Sequence, residues 1–116
     1  MRVELIDRET HIEGRVEGLV SMHAWETMLT NLNRELGTRT GDRLLLDLFG
    51  LLGYLGEADR RAVGALMATQ FAGLKKVALV IDAYKISGVV EREARRLGLD
   101  LRLFPDRDVA LAWLLH

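Results

Sequence analysis

The chain has no cysteine, which removes disulfides, thiolate catalysis and zinc–thiolate sites together and suits a reducing compartment. It also has no excess of charge. Lysine and arginine number 16 against 17 acidic residues, a formal net charge of −1, and the two kinds are interspersed along the chain. That balance calls for no polyelectrolyte partner, so no nucleic acid is expected. The opening MRVELIDRE is charged throughout and lacks the apolar centre of a secretory signal. No run approaches the roughly 18 apolar residues of a membrane span. A cytoplasmic protein without a membrane span is the expectation. At 116 residues one domain over 1–116 is expected, long enough to bury roughly two thirds of the surface of its unfolded form. There is no internal repeat, linker or low-complexity tract.

Catalytic signatures are equally scarce. The stretch LLLDLFGLLGYLGEADRR, residues 44 to 61, leads from an apolar run through Gly50, Gly53 and Gly56 into a charged, helix-like segment. In an α/β protein that junction often carries chemistry, yet it holds no Ser, Thr, Lys, His or Cys. Its glycines fit neither the dinucleotide fingerprint nor the Walker pattern, which needs a Lys and a Ser or Thr as well. His11, His23 and His116 are scattered over a strand start, a helix and the C-terminus, without metal-ligand spacing or a neighbouring nucleophile. All three are expected at the surface. No cofactor, no metal and no enzymatic activity are expected.

What is present is periodicity. Val3 and Leu5 alternate with Arg2 and Glu4, and Ile12 alternates in step with Val16, which predicts two half-buried strands joined through DRET as a hairpin. Gly14 and Gly18 on the second of them suggest a bulge or the close approach of another backbone. Ser21 is a helix N-cap, followed by Met22, Trp25, Met28, Leu29, Leu32 and Leu36 at three- and four-residue steps. Gly37 stands where a left-handed C-terminal residue is wanted.

RLLLDLF is apolar on both faces, as a central strand is. A second helix follows from Ala58 to Ala72, with Ala62, Val63, Leu66, Met67 and Phe71 as its stripe and Gly73 closing it. KKVALVID repeats the buried strand. Ile86, Val89, Val90, Ala94 and Leu97 mark a third helix ending at Gly98. LDLRLFP alternates like an edge strand, and Asp106 caps a last helix carrying Val109, Ala110, Trp113 and Leu114. The order β-β-α-β-α-β-α-β-α predicts an α/β fold: a mostly parallel central sheet with crossover helices and an N-terminal antiparallel hairpin.

The strand–loop–helix segment resembles that of STAS domains, the family of bacterial anti-sigma-factor antagonists, which reads as an apolar strand and then Asp-Leu-Ser-Gly-Val. Asp47, Leu48, Gly50 and Leu51 match, with Phe49 in place of the serine. The tail GLDLRLFPDRDVALAWL resembles the family's closing Gly-Leu, strand, Phe-Pro and helix. Trp25 and Trp113 point to the SpoIIAA-like branch related to lipid-binding Sec14 (CRAL-TRIO) domains. The resemblance implies a SpoIIAA-like (STAS-like) fold and a regulatory role through protein contacts. It also implies a phosphorylatable serine at the start of the second helix, where this chain has Leu55, Gly56, Glu57 and Ala58 instead. Glu57 either mimics a fixed negative charge or is the ordinary acidic residue of a first helical turn.

Several candidate sites remain open. Leu51, Leu52, Tyr54 and Leu55 either fold over the sheet edge as satellite core or form an apolar patch for a partner subunit, another protein or a greasy ligand. Asp47 and Asp82, at strand ends, serve acid–base chemistry or accept backbone N–H bonds in their turns; the structural role is favoured. Ser87 is an anion site or a helix cap. EREARR is a solvated helix face or a docking surface for an acidic partner. Two functions follow. One is a non-enzymatic interaction domain whose contact surface runs from Leu51 to Arg61, including Glu57, Arg60 and Arg61, with itself (a homodimer) or another protein as partner. The alternative is a carrier or sensor of a lipid-like molecule, with Leu52, Tyr54, Leu55 and Tyr84 rimming an apolar pocket.

Overall fold

Alternating apolar residues form the first two strands, β1 (Arg2–Asp7) and β2 (Ile12–Leu19), in the computed structural model, which describes residues 1–116. They pair antiparallel, Val3 opposite Val16 and Leu5 opposite Gly14. Gly14 is where the sheet needs room: a Cβ there would lie 2.7 Å from a Leu46 methyl group and 3.3 Å from one of Leu5. Three parallel strands follow in spatial order, β3 (Arg43–Leu52), β4 (Lys76–Val80) and β5 (Leu101–Phe104), so the sheet reads β1-β2-β3-β4-β5 with β1 and β5 at its edges.

Helix α1 (Met22–Leu36) starts at Ser21, whose hydroxyl accepts from the Ala24 N–H at 3.0 Å. Its buried stripe is Trp25, Met28, Leu29, Leu32 and Leu36. Gly37 departs from expectation. It is right-handed, φ −62° and ψ −18°, and its N–H continues the helical pattern to the Asn33 carbonyl, so no left-handed residue ends this helix.

Helix α2 (Glu57–Gln70) begins one residue before the expected start and ends earlier, at Phe71, leaving Gly73 in the turn beyond. Ala62 is exposed rather than part of the stripe, and Gly64 takes its place among the buried residues with Val63, Met67 and Ala68. After β4 the chain makes one 3₁₀ turn, Ala83–Lys85, and enters α3 (Val89–Arg96) at Gly88, which is left-handed with φ 85°. Gly88, and not Ser87, therefore occupies the cap position; the Ser87 hydroxyl is 3.5 Å from the Val89 nitrogen. Helix α4 (Arg107–Leu114) is capped by Asp106, which accepts from the Val109 N–H at 3.0 Å.

Two cores result from the covering of both faces. Leu44, Leu46 and Leu48 of β3, with Val77 and Leu79 of β4, pack under α1, α2 and α3. Leu45, Ala78 and Val80 face the other way, against Ala110 and Leu114 of α4. Helix α4 packs over β3, β4 and β5, while the outward residues Arg2, Glu4, Arg15 and Glu17 of β1 and β2 are exposed.

The strand β3 is longer than RLLLDLF. Gly50, Leu51 and Leu52 continue it, paired with Glu17, Gly18 and Leu19. Between Arg15↔Asp47 and Glu17↔Gly50, β2 advances two residues and β3 three, which is a bulge on β3. Gly50 permits it, since a Cβ there would lie 2.9 Å from Glu17 Cγ.

Candidate functional site

The C-terminal ends of the parallel strands, where open α/β sheets bind ligands, collect most of the candidate residues. The bulge decides how they divide. Leu48 and Leu51, three apart, both enter the same core, and Leu51 is only 3% exposed. Of the apolar segment expected at the surface, Leu51 is thus core. Leu52 points outward, 65% exposed, beside its register partner Leu19 at 71%. Phe49, Tyr54 and Tyr84 are also exposed. Leu55 is half-buried and packs against the main core.

Beyond Leu52 the chain turns at Gly53, φ 101°, and runs through Tyr54 and Leu55 to the start of α2. Arg60 in the first turns of α2 holds this segment: its Nε donates to the Leu55 carbonyl at 2.7 Å and its guanidinium lies 4.1 Å over the Tyr54 ring. Lys85, from the 3₁₀ turn, donates to the Leu51 carbonyl at 3.0 Å. Glu57 at the N-terminus of α2 pairs with Arg61 one turn on, at 3.5 Å and with both partners exposed. Asp47 accepts from the Phe49 N–H at 3.0 Å, a backbone bond inside β3 at the bulge rather than in the turn before α2. Asp82 precedes the 3₁₀ turn without a side-chain cap bond.

Below the segment lies a cavity of about 70 Å³, whose walls include Trp25, Leu48, Leu51, Val63 and Met67. Its rim reaches solvent at Tyr54, Arg60 and Lys85. Tyr54 and Leu55 border this cavity, whereas Leu52 and Tyr84 do not. Of the expected rim of Leu52, Tyr54, Leu55 and Tyr84, the bulge turns Leu52 away from the cavity, and Tyr84 stands in solvent on its own turn, 76% exposed. Val20 and Lys85 complete the wall instead.

A second polar centre was not anticipated. His11, expected at the surface, is 7% exposed, and Glu13 beside it 5%. The His11 Nε2 lies 3.1 Å from Glu13 Oε1 and its Nδ1 2.9 Å from the Thr10 hydroxyl. Arg107 of α4 donates to the same Glu13 oxygen at 2.6 Å, and Arg8 stands 3.6 Å from the other. Burial pushes the Glu13 carboxyl up, but the hydrogen bonds from His11 and Arg107 and the charges of Arg107 and Arg8 together hold it below the ordinary carboxylate range. The signal was available in HIE: residues two apart on a strand share a face. Arg107, 94 positions away, was not.

No protein-family model and no curated protein matches the chain. Solved structures do. A DUF3478-family protein with a SpoIIAA-like fold from Shewanella loihica PV-4 superposes with TM-score 0.58 at 21% identity, covering 97% of this chain and 92% of that one. The chain has the SpoIIAA-like, or STAS, fold. An anti-sigma factor antagonist from Mycobacterium paratuberculosis gives TM-score 0.61 at 17% identity, over 97% and 92% of the two chains. A serine-to-glutamate variant of RsbS from Moorella thermoacetica gives 0.57 at 17% identity, over 98% and 95%. The STAS fold carries the expected element order and mixed sheet over nearly the whole chain, and no helix is long and apolar enough to cross a membrane.

Proposed function

We propose that this STAS-fold chain is a non-enzymatic, cytoplasmic regulatory domain that works by docking a protein, in the first instance a second copy of itself. The docking surface is the edge formed by Leu19, Leu52 and Tyr54, continued by Glu57, Arg60 and Arg61 on α2 and by Tyr84. Leu51 and Leu55 support it from behind.

One observation carries this reading. Leu19 and Leu52 are direct neighbours in the β2–β3 register, and both stand in water. Single exposed leucines are ordinary, whereas adjacent large apolar side chains flanked by exposed aromatics are what contact surfaces offer. Burying each leucine contributes on the order of 1.5 kcal/mol or more. A twofold contact closes on itself and stops, which makes the dimer the simplest way to cover such a patch. An anti-sigma factor antagonist among the structural neighbours supports a regulatory rather than catalytic use of the fold. The lipid-carrier alternative lacks room: a cavity of about 70 Å³ is about half of one that holds benzene, too small for the acyl chain of a lipid.

Light scattering tests it. The parent is expected to be a dimer, and Leu19→Glu with Leu52→Glu to be a folded monomer at the same concentration, since neither side chain belongs to the core. A monomeric parent, or a double variant that remains dimeric, overturns self-association through this edge.

A further inference from the structure

We infer that the cavity beneath Tyr54 and Leu55 is a binding site for a small apolar carboxylate, its hydrocarbon end among Trp25, Leu48 and Met67 and its charged end on Arg60 and Lys85. The site lies under the proposed docking surface, but the inference does not rest on that surface being used.

The walls set the chemistry of one end. Twelve of the fifteen lining residues are hydrophobic, so whatever enters must present hydrocarbon to them. The rim sets the other end. Its two cations, Arg60 and Lys85, take part in none of the ion pairs of the molecule. Each donates one bond to a neutral backbone carbonyl, Arg60 to Leu55 and Lys85 to Leu51. A guanidinium has five N–H groups and an ammonium three, so both retain free donors. Charge-assisted bonds to a carboxylate are roughly twice as strong as bonds between neutral groups. An anion at the rim therefore gains from two cations that the fold itself leaves without a counter-charge.

Size limits the tail. An engineered apolar cavity of about 150 Å³ takes benzene; one of about 70 Å³ takes roughly half as much, or at most about three carbons. Isovalerate would place its three-carbon isopropyl end there, with its methylene and carboxylate at the open rim.

The two tryptophans make the test internally controlled. Trp25 lines the cavity, whereas Trp113 lies against Phe104 on the opposite face of the sheet. Sodium isovalerate titrated into the protein, followed by the indole N–H resonances, is expected to shift Trp25 saturably and leave Trp113 unmoved. 3-Methylbutan-1-ol, with the same tail and no charge, is expected to bind at least about tenfold more weakly, and acetate to leave Trp25 in place. Arg60→Gln and Lys85→Gln should each weaken isovalerate by about tenfold while preserving the fold. The inference is overturned by an absent or non-saturating Trp25 shift, by equal movement of Trp113, by equal binding of the alcohol, by an acetate response matching that of isovalerate, or by unchanged affinity in both variants.

Discussion

Gly64 of α2 faces the carbonyl of Val90 in α3 so closely that a Cβ on it would lie 2.5 Å from the carbonyl oxygen and 3.1 Å from Glu93 Cβ. The two helices meet through this missing side chain. Alanine at 64 would gain about 0.5–1 kcal/mol of helix propensity, but the obstructing atom is backbone and cannot swing aside, and overpacking costs about 1–3 kcal/mol. Gly64→Ala is expected to lower the urea midpoint; a more stable variant would show that α3 moves freely against α2.

Glu13 predicts an acid limb of stability. Because its folded-state pKa lies below the ordinary value of 4.5, its pairs with His11, Arg107 and Arg8 contribute fully above that value. They are lost as pH falls through the lower, folded-state pKa. With Arg107 and Arg8 about half exposed and so partly screened, Glu13→Gln should cost about 1–2 kcal/mol at neutral pH. The difference between parent and variant should vanish in strongly acidic buffer, as read by denaturant melts across pH. A gap independent of pH would show that shape rather than charge matters at this position.

Trp25 is 5% exposed in the stripe of α1 and borders the cavity. Truncating a buried aromatic typically costs about 3–5 kcal/mol. Trp25→Ala should lower the melting temperature markedly, and an unchanged melt would place the ring in solvent.

The start of α2 should be silent to serine/threonine kinases. Gly56 occupies the cap and Glu57 follows it, and between Thr40 and Thr69 the chain has no serine or threonine at all. Phosphopeptide mapping after incubation with a kinase of an antagonist pathway should find residues 41–68 free of phosphoserine and phosphothreonine. Phosphate on Ser87 instead would move any switch to the start of α3.

The element order was legible because each element announces itself locally: alternation in β1 and β2, three-and-four spacing in α1, dense apolar runs in β3 and β4. Ser21 and Asp106 cap as their chemistry requires. What was not legible depends on neighbours in space. Gly37 could be read as a terminator, but its φ follows from continued hydrogen bonding to Asn33. His11 looked like a surface residue because the polar centre it joins through Glu13 is completed by Arg107, from the last helix. The outward turn of Leu52 and inward turn of Leu51 depend on pairing with β2, and a glycine-rich apolar segment does not state its own register.

The bulge on β3 acts as a change of phase in an otherwise two-beat pattern. Up to Leu48 the even-numbered residues face α1, α2 and α3; past it the odd-numbered Leu51 does, three residues on from Leu48. Loss of one residue at Phe49 would place Leu51 two residues after Leu48 and restore the original beat, with Leu51 still inward and Leu52 still opposite Leu19. The bulge would vanish together with the exposed Phe49, and both leucines would keep their faces. The hydrophobic core and the exposed leucine pair would both survive the deletion, so in this fold the bulge takes up one residue of strand length without changing which leucine the surface offers.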